Sequence, residues 1–176
     1  PDAAWAQHLP LLQRAAEVVP RRAGNALASF IAYAEATPAQ ELTRHYVETF
    51  DLRRRCCPYL TYYAFGDTRK RGMAMLRFTH AYKTAGFTLS SEELPDHLAV
   101  VCEFAARCPE PGLALLQDNR AGLELLYLSL ADDGSPYAHV VDMVRAVLPD
   151  AAPHDLARAL ELARTGPPAE EVGLEP

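Results

Sequence analysis

The sequence predicts an all-α protein, organised as a single-domain irregular bundle of about eight helices. Three observations lead to this fold class. Alanine and leucine are abundant, while only 9 of the 176 residues are glycine, and this bias favours helix over strand. Apolar residues recur at three- and four-residue spacing along most of the chain, and no segment gives a clear strand pattern. The predicted helices have unequal lengths and no fixed repeat, which argues against a solenoid.

Start and stop signals divide the chain into these helices. Asp2 can cap a first helix that ends near Val18, and Pro10 either begins or bends this helix. The later helices are predicted at 22–36, 38–50, 53–65 with a bend or restart at Pro58, 68–85, 97–107, 112–131, 136–148 and 153–164. A threonine, proline and glutamine at 37, 38 and 40 predict a capping box before the third helix. Gly66 is expected to end its helix in a left-handed conformation.

The helical domain is expected to cover residues 1–165, and the glycine- and proline-containing segment 166–176 to form a flexible C-terminal tail. Within the helix 68–85, the spacing places Gly72 and Leu76 on the buried face. Gly72 would then let a neighbouring helix approach closely, because it has no side chain.

Composition excludes several classes of function. The formal charge of −6 at pH 7 argues against nucleic-acid binding. No apolar run approaches the ~20 residues that span a bilayer, and no signal peptide is recognisable, so we expect a cytoplasmic protein without membrane insertion. The four cysteines, at 56, 57, 102 and 108, lack the spacing of a zinc site. Hydrolase motifs and phosphate-binding glycine loops are absent, so the sequence does not indicate an enzyme.

One segment of this acidic chain is strongly basic. Eight of the 17 basic residues lie between residues 53 and 83, where Asp67 is the only acid. These arginines either form a solvated surface that pairs with acids elsewhere, or bind a phosphate-bearing ligand or an acidic patch on a protein partner. Arg69, Arg71 and Arg77 are the candidate contacts. A nucleotide- or anion-binding helical protein that uses the segment from Arg53 to Arg71 therefore stays an alternative function, and a general helical adaptor is another.

Aromatic and acidic residues on either side of this basic segment suggest a groove. Tyr59 and Tyr62 belong to a short aromatic-rich helix, and tyrosine can line a groove with an apolar ring and a polar tip. Asp96 lies at a helix start, where it either caps the helix or accepts a basic side chain or backbone amide of a bound peptide. His97 follows it and can change charge near neutral pH. A groove of this kind could receive an amphipathic helix from a partner.

Five segments, taken in order, resemble one protein family. They are YVETFDLR (46–53), YLTYY (59–63), GDTRKRG (66–72), YKTAGF (82–87) and ELPDHL (93–98). The sequence is similar to the delta subunit of respiratory nitrate reductase, a molybdenum cofactor assembly chaperone, and more distantly to other redox-enzyme maturation chaperones. The resemblance is dense over 46–106 and collinear to about Leu162. Pro1 and Asp2 resemble the end of the family's first helix, so that helix is expected to be missing before Pro1.

The resemblance implies a non-catalytic, cytoplasmic chaperone with an all-helical fold. Such a chaperone binds the N-terminal helical segment of the nitrate reductase catalytic (alpha) subunit until the molybdenum guanine dinucleotide cofactor is inserted. The cofactor is handled by this partner and is not stably bound by the chaperone. A monomer is favoured, although the oligomeric state stays open.

The resemblance also assigns the peptide groove. It implies that Asp96 and His97 form the aspartate–histidine pair of the groove and that Tyr59 and Tyr62 supply its aromatic positions. We expect Glu103, like Asp96, to hold basic side chains of the partner. The partner-contact roles of Arg69, Arg71 and Arg77 extend beyond the family pattern.

Overall fold

The computed structural model describes residues 5–90 and 93–168, with side chains from residue 7 onward. Within these residues the chain forms ten α-helices, one π-helix, one 3-10 helix and no strand, which confirms the all-α prediction. The α-helices are α1 (Trp5–Val18), α2 (Arg21–Ala36), α3 (Ala39–Tyr46), α4 (Tyr62–Phe65), α5 (Arg69–Thr84), α6 (Leu98–Arg107), α7 (Pro109–Asp118), α8 (Arg120–Asp132), α9 (Tyr137–Ala146) and α10 (Pro153–Thr165). The π-helix is Val47–Asp51 and the 3-10 helix is Arg54–Cys56.

Some predictions concern residues that the structure does not describe. The predicted cap at Asp2 lies outside the described residues, and so does the predicted tail after Pro168. Pro10 lies inside α1, so this helix does not begin at the proline. No helix in the described ranges is long and apolar enough to cross a membrane.

The chain divides into two compact units. The first comprises residues 1–57 and 126–150, and the second comprises residues 58–125 and 151–176. Helix α8 starts in the second unit and ends in the first. The predicted boundary between a helical domain at 1–165 and a tail stays a prediction.

The first unit is built on the packing of α2 against α9. Helix α2 buries Leu27 and Ile31, and α9 buries Val141 and Val144. Tyr137 opens α9 and packs against the rings of four other residues, with centroid distances of 4.9 to 6.0 Å. These four are Phe30, His45, Tyr46 and Phe50. Burial of this apolar and aromatic surface is the main stabilising contribution to the unit.

The second unit contains α4 to α7, the start of α8 and α10. Helices α6 and α7 pack closely, because a Cβ at Gly112 would lie 2.3 Å from the Cα of Ala105. Phe78 and Tyr82 of α5 and Val101 and Phe104 of α6 are buried. These two helices position the residues of the candidate site.

Two predicted helix boundaries are wrong. The Thr37 hydroxyl does not cap α3 but donates to the carbonyl of Tyr33, one turn back in α2, and α3 begins after Pro38 without a side-chain cap. The predicted long helix 112–131 is two helices, because the chain leaves helical geometry at Asn119 (φ −109°, ψ 24°). The amide of Asn119 donates to the carbonyl of Leu115, which satisfies one of the carbonyls that the end of α7 leaves unpaired.

The predicted buried face of α5 is also corrected. Gly72 and Leu76 are exposed, and nothing lies within 4 Å of a Cβ built at Gly72. Arg71 is buried instead. An apolar periodicity count places an arginine outside the core, but this one is held inside by a buried carboxylate.

Candidate functional site

Backbone hydrogen bonds join the segment before α4 to the start of α6. The amide of Leu60 donates to the carbonyl of Asp96 (3.0 Å), and the amide of Leu98 donates to the carbonyl of Pro58 (2.8 Å). Together they form an isolated antiparallel bridge between Tyr59 and His97. The structure thus brings together four residues that the sequence assigned to one groove: Tyr59, Tyr62, Asp96 and His97.

Asp96 points into the second unit. It has no solvent exposure, and its Oδ2 accepts hydrogen bonds from the backbone amide and hydroxyl of Thr61. Nη2 of Arg71 lies 3.5 Å from the same oxygen. A buried carboxylate needs such partners, because desolvation penalises an isolated charge. The predicted direct contact between Asp96 and a basic side chain of the partner does not fit this burial. Asp96 instead connects α4, α5 and α6 within the unit.

Arg71 was predicted as an outward contact, and the structure corrects this as well. Its side chain is 11% exposed, and Nη1 forms an ion pair with Oδ1 of Asp67 at 3.0 Å. Its guanidinium carbon lies 5.2 Å from the ring centroid of Tyr59 and 5.6 Å from that of Tyr62. Within this distance the aromatic faces attract a cation. Arg71 therefore neutralises Asp96 and supports the two tyrosines from behind.

The partly exposed side of the bridge carries a polar cluster. The Tyr59 hydroxyl donates to Oε1 of Glu93 (3.0 Å), and its ring meets the ring of His97 edge to face at 5.2 Å. Nδ1 of His97 accepts from the amide of Ala99 (3.2 Å), so this histidine caps α6. Its Nε2 lies 4.0 Å from Oε2 of Glu93. Glu93 thus orients both rings, a role that the sequence analysis did not assign.

A groove of about 370 Å³ opens beside this cluster. Phe87, Leu89, Val100 and Phe104 provide apolar lining, and carboxylates are present on its rim. The remaining lining residues are Tyr82, Thr88, Ser90, Glu93, Glu103 and Arg107. The sequence analysis predicted Glu103 here but missed the phenylalanines, whose only sequence signal was their place in or beside the similar segments.

Two interactions define the wall of the groove. The Tyr82 hydroxyl donates to the carbonyl of Pro95 (2.6 Å), and burial, then the charge of Asp96, raise the pKa of Tyr82 well above its ordinary value. This hydroxyl therefore remains a donor and holds α5 against the segment before α6. On the rim, Glu103 pairs with Arg107 at 3.0 Å, with both side chains more than half exposed. Such an exposed pair is weak, so Glu103 can exchange Arg107 for another cation.

The basic segment is largely paired within the chain. These ion pairs are Arg53–Asp133, Arg55–Asp132, Arg55–Asp133 and Arg77–Asp118. Arg77 is exposed, and its pair with Asp118 measures 2.6 Å. Arg69 is exposed at the start of α5. Of the three predicted partner contacts, the structure thus leaves Arg69 and Arg77 at the surface and buries Arg71.

Neither the cysteines nor the acidic side chains suggest a metal centre. All four cysteines are free, and burial raises the pKa of Cys56 and raises that of Cys102 to about 11. These two thiols therefore stay protonated and poorly nucleophilic near neutral pH. In the described part of the chain, no three histidine, cysteine, aspartate or glutamate side chains are grouped so that they could hold a metal ion.

Comparison with known proteins gives consistent matches. The profile of the nitrate reductase delta subunit family matches residues 12–141. The chain is 30% identical over 153 residues to a Bacillus subtilis (strain 168) protein named "Probable nitrate reductase molybdenum cofactor assembly chaperone NarJ", and the match covers 84% of this chain and 82% of that protein. It is 31% identical over 148 residues to the nitrate reductase molybdenum cofactor assembly chaperone NarJ of Escherichia coli (strain K12), covering 82% of this chain and 63% of that protein.

A third match is closer in sequence but shorter. The chain is 46% identical over 110 residues to the nitrate reductase-like protein NarX of Mycobacterium tuberculosis (strain ATCC 25618 / H37Rv). This match covers 62% of this chain and 17% of that protein, so the chain spans only a small part of the mycobacterial relative. The family profile covers well over half of the chain, and the Bacillus relative is matched along most of its length. The chain therefore belongs to the nitrate reductase delta subunit family.

Proposed function

We propose that this protein is a system-specific chaperone that binds the N-terminal helical segment of the apo nitrate reductase catalytic subunit and assists molybdenum cofactor insertion. The family and the names of the two NarJ relatives support this proposal. The observation that carries it is the groove beside the Tyr59–His97 bridge, because it combines an apolar lining with the carboxylates of Glu93 and Glu103.

This lining suits one face of an amphipathic helix with basic residues beside its apolar stripe. Apolar side chains of the guest would contact Phe87, Leu89 and Phe104, and lysine or arginine side chains would pair with Glu93 or Glu103. About 370 Å³ accommodates a few guest side chains and not a whole helix, so the helix would lie along the surface with its anchors inserted. The net charge of −6 adds a general attraction for a basic segment.

The mechanism is therefore one of binding and release. While the guest helix is held, the apo-enzyme stays open to its molybdenum guanine dinucleotide, which the partner itself binds. When the partner folds around this cofactor, it withdraws the helix and the chaperone dissociates. We further propose that the protein acts in the cytoplasm as a monomer.

Calorimetric titration of a synthetic N-terminal peptide of the catalytic subunit tests the proposal. Glu103→Lys reverses one rim charge and should weaken binding about fivefold or more, because a like charge then faces the basic guest. Glu110→Lys is the matched control, since Glu110 is exposed in the first turn of α7 and does not line the groove. Absence of peptide binding, or equal affinities for the two variants, would refute the proposed groove.

The anion-binding alternative receives less support. It needs arginines that are available to a phosphate, whereas Arg53, Arg55 and Arg77 pair with carboxylates of the chain and Arg71 is buried. It predicts saturable nucleotide binding in the same calorimeter, which the chaperone proposal does not.

A further inference from the structure

A second, larger cleft in the second unit is not used by the proposed function. Its volume is about 640 Å³, and it lies among α4, α5, α7, the start of α8 and α10. Phe65, Met73 and Leu162 are among its apolar lining residues. Met73 is 68% exposed, which leaves a flexible apolar side chain facing open space at the cleft. An apolar surface of this kind indicates a missing binding partner.

The C-terminal segment of the chain arrives at the edge of this cleft. After α10 ends at Thr165, the chain turns at Gly166 (φ 70°) and Pro168 reaches Gly66. A Cβ built at Gly66 would lie 1.9 Å from the carbonyl oxygen of Pro168, so the two backbones are in close contact and Gly66 is buried. Its neighbour Phe65 lines the cleft. The residues after Pro168 therefore start next to the cleft.

The chemistry of residues 169–176, with the sequence AEEVGLEP, matches the cleft. The segment has three glutamates, two branched apolar residues and no basic residue. On the rim, Arg77 and Arg158 already pair with Asp118 and Glu161. Lys70 also lines the cleft and is exposed, and it has no ion-pair partner among the described residues.

The segment is also long enough. Eight extended residues reach about 26 Å, whereas the seven-residue step from Lys70 to Arg77 along α5 covers about 10 Å. Val172 and Leu174 have the alternate spacing that directs two side chains to one side of an extended chain. In that arrangement Glu171 and Glu175 flank the apolar pair.

We propose that residues 169–176 bind in this cleft as an intramolecular ligand, with Val172 and Leu174 against the apolar surface around Met73 and a glutamate on Lys70. The tether at Gly66 and Pro168 keeps the segment at high local concentration, so a weak intrinsic affinity is sufficient. The cleft is thereby covered in the free chain, and another peptide of acidic and apolar character could enter only by displacing the segment.

The test measures the solvent accessibility of the Met73 methyl group. Its NMR signal in methionine-labelled protein is followed as a soluble gadolinium chelate broadens it, for the full chain and for a chain that ends at Pro168. Truncation should increase the broadening of Met73 severalfold and leave Met143, in the first unit, unchanged. Replacing Glu170, Glu171 and Glu175 with lysine keeps the length of the chain and should produce the same increase.

A matched pair of lysine variants tests the charge contact. Lys70→Glu in the full chain should expose Met73 as truncation does. Lys83→Glu makes the same charge change on the same helix, at an exposed residue outside the cleft lining, and should have no effect. Equal accessibility of Met73 in the full and truncated chains would overturn the proposal. Protection that disappears on dilution, together with a dimer mass by light scattering, would overturn it in favour of a second copy as the occupant.

Discussion

Replacing Asp96 with alanine distinguishes a structural role of this residue from a direct binding role. The carboxylate has no solvent exposure, and it accepts from Thr61 and lies 3.5 Å from Arg71. Its removal leaves Arg71 with one acid, Asp67, whose side chain is 74% exposed. Breaking a buried ion pair by removing one partner costs about 3–5 kcal/mol. We expect the lower end, about 3 kcal/mol, because Arg71 retains Asp67 and two aromatic rings.

Urea unfolding measures this loss directly. With a slope of about 1–3 kcal/mol per molar urea, the midpoint of Asp96→Ala should fall by about 1–3 M. His97→Ala is the comparison, because His97 caps α6 from a partly exposed position. Its loss should be that of a helix cap, about 1 kcal/mol. Peptide titrations of Asp96→Ala must therefore be done where the variant is still folded, since unfolding alone would mimic lost binding.

A double substitution provides the critical control. Arg71→Met combined with Asp96→Leu removes both charges and fills the space with apolar atoms, and such replacements of buried ion pairs are often neutral or stabilising. The double variant should therefore be more stable than Asp96→Ala. A loss of less than about 1 kcal/mol for Asp96→Ala would refute the inward role, and so would a double variant that is no more stable than the single one.

Two further predictions concern pH and a backbone contact. Burial lowers the pKa of His45, whose Nδ1 lies 2.6 Å from the Tyr33 hydroxyl, so the unfolded chain binds the proton first. This contribution to stability is complete above about pH 6.5 and is lost as the pH falls through the folded-state pKa. Thermal melts of His45→Gln should show a flatter acid limb, and an unchanged limb would contradict this assignment. Gly66→Ala should cost about 1–3 kcal/mol, because φ 56° and ψ −157° are accessible only to glycine. Part of this loss should disappear in a chain that ends at Thr165, unless the contact with Pro168 is absent in solution.

Helix ends with a local cause could be predicted from the sequence. Gly66, Gly86 and Gly134 were predicted to end helices, and all three have positive φ. The break at Asn119 was missed, because leucines before and after it continue the helical spacing. Thr37 was misread because a threonine hydroxyl can either cap the next helix or bond back to the previous one. Sequence alone does not decide between these two local hydrogen bonds.

The pairing of the basic segment could not be predicted for a different reason. Arg53 and Arg55 pair with Asp133, which lies 80 and 78 positions further along the chain. Charge patterning is read over neighbouring residues, so it reported a basic segment with a single opposing acid. Only the fold brings Asp132 and Asp133 to these arginines. A local excess of charge in a sequence therefore does not establish an anion site.

Asp96 and His97 are adjacent in sequence but act in opposite directions. Asp96 is inaccessible and holds Thr61 and Arg71, while His97 forms the bridge with Tyr59 at the edge of the groove. The first residue thereby fixes the backbone on which the second is presented. A pair of this kind should respond asymmetrically to mutation. Loss of the aspartate should reduce stability and, through it, binding, whereas loss of the histidine should reduce binding at nearly constant stability. Equal effects of the two substitutions on the free energy of unfolding would show that the two residues do not divide the work in this way.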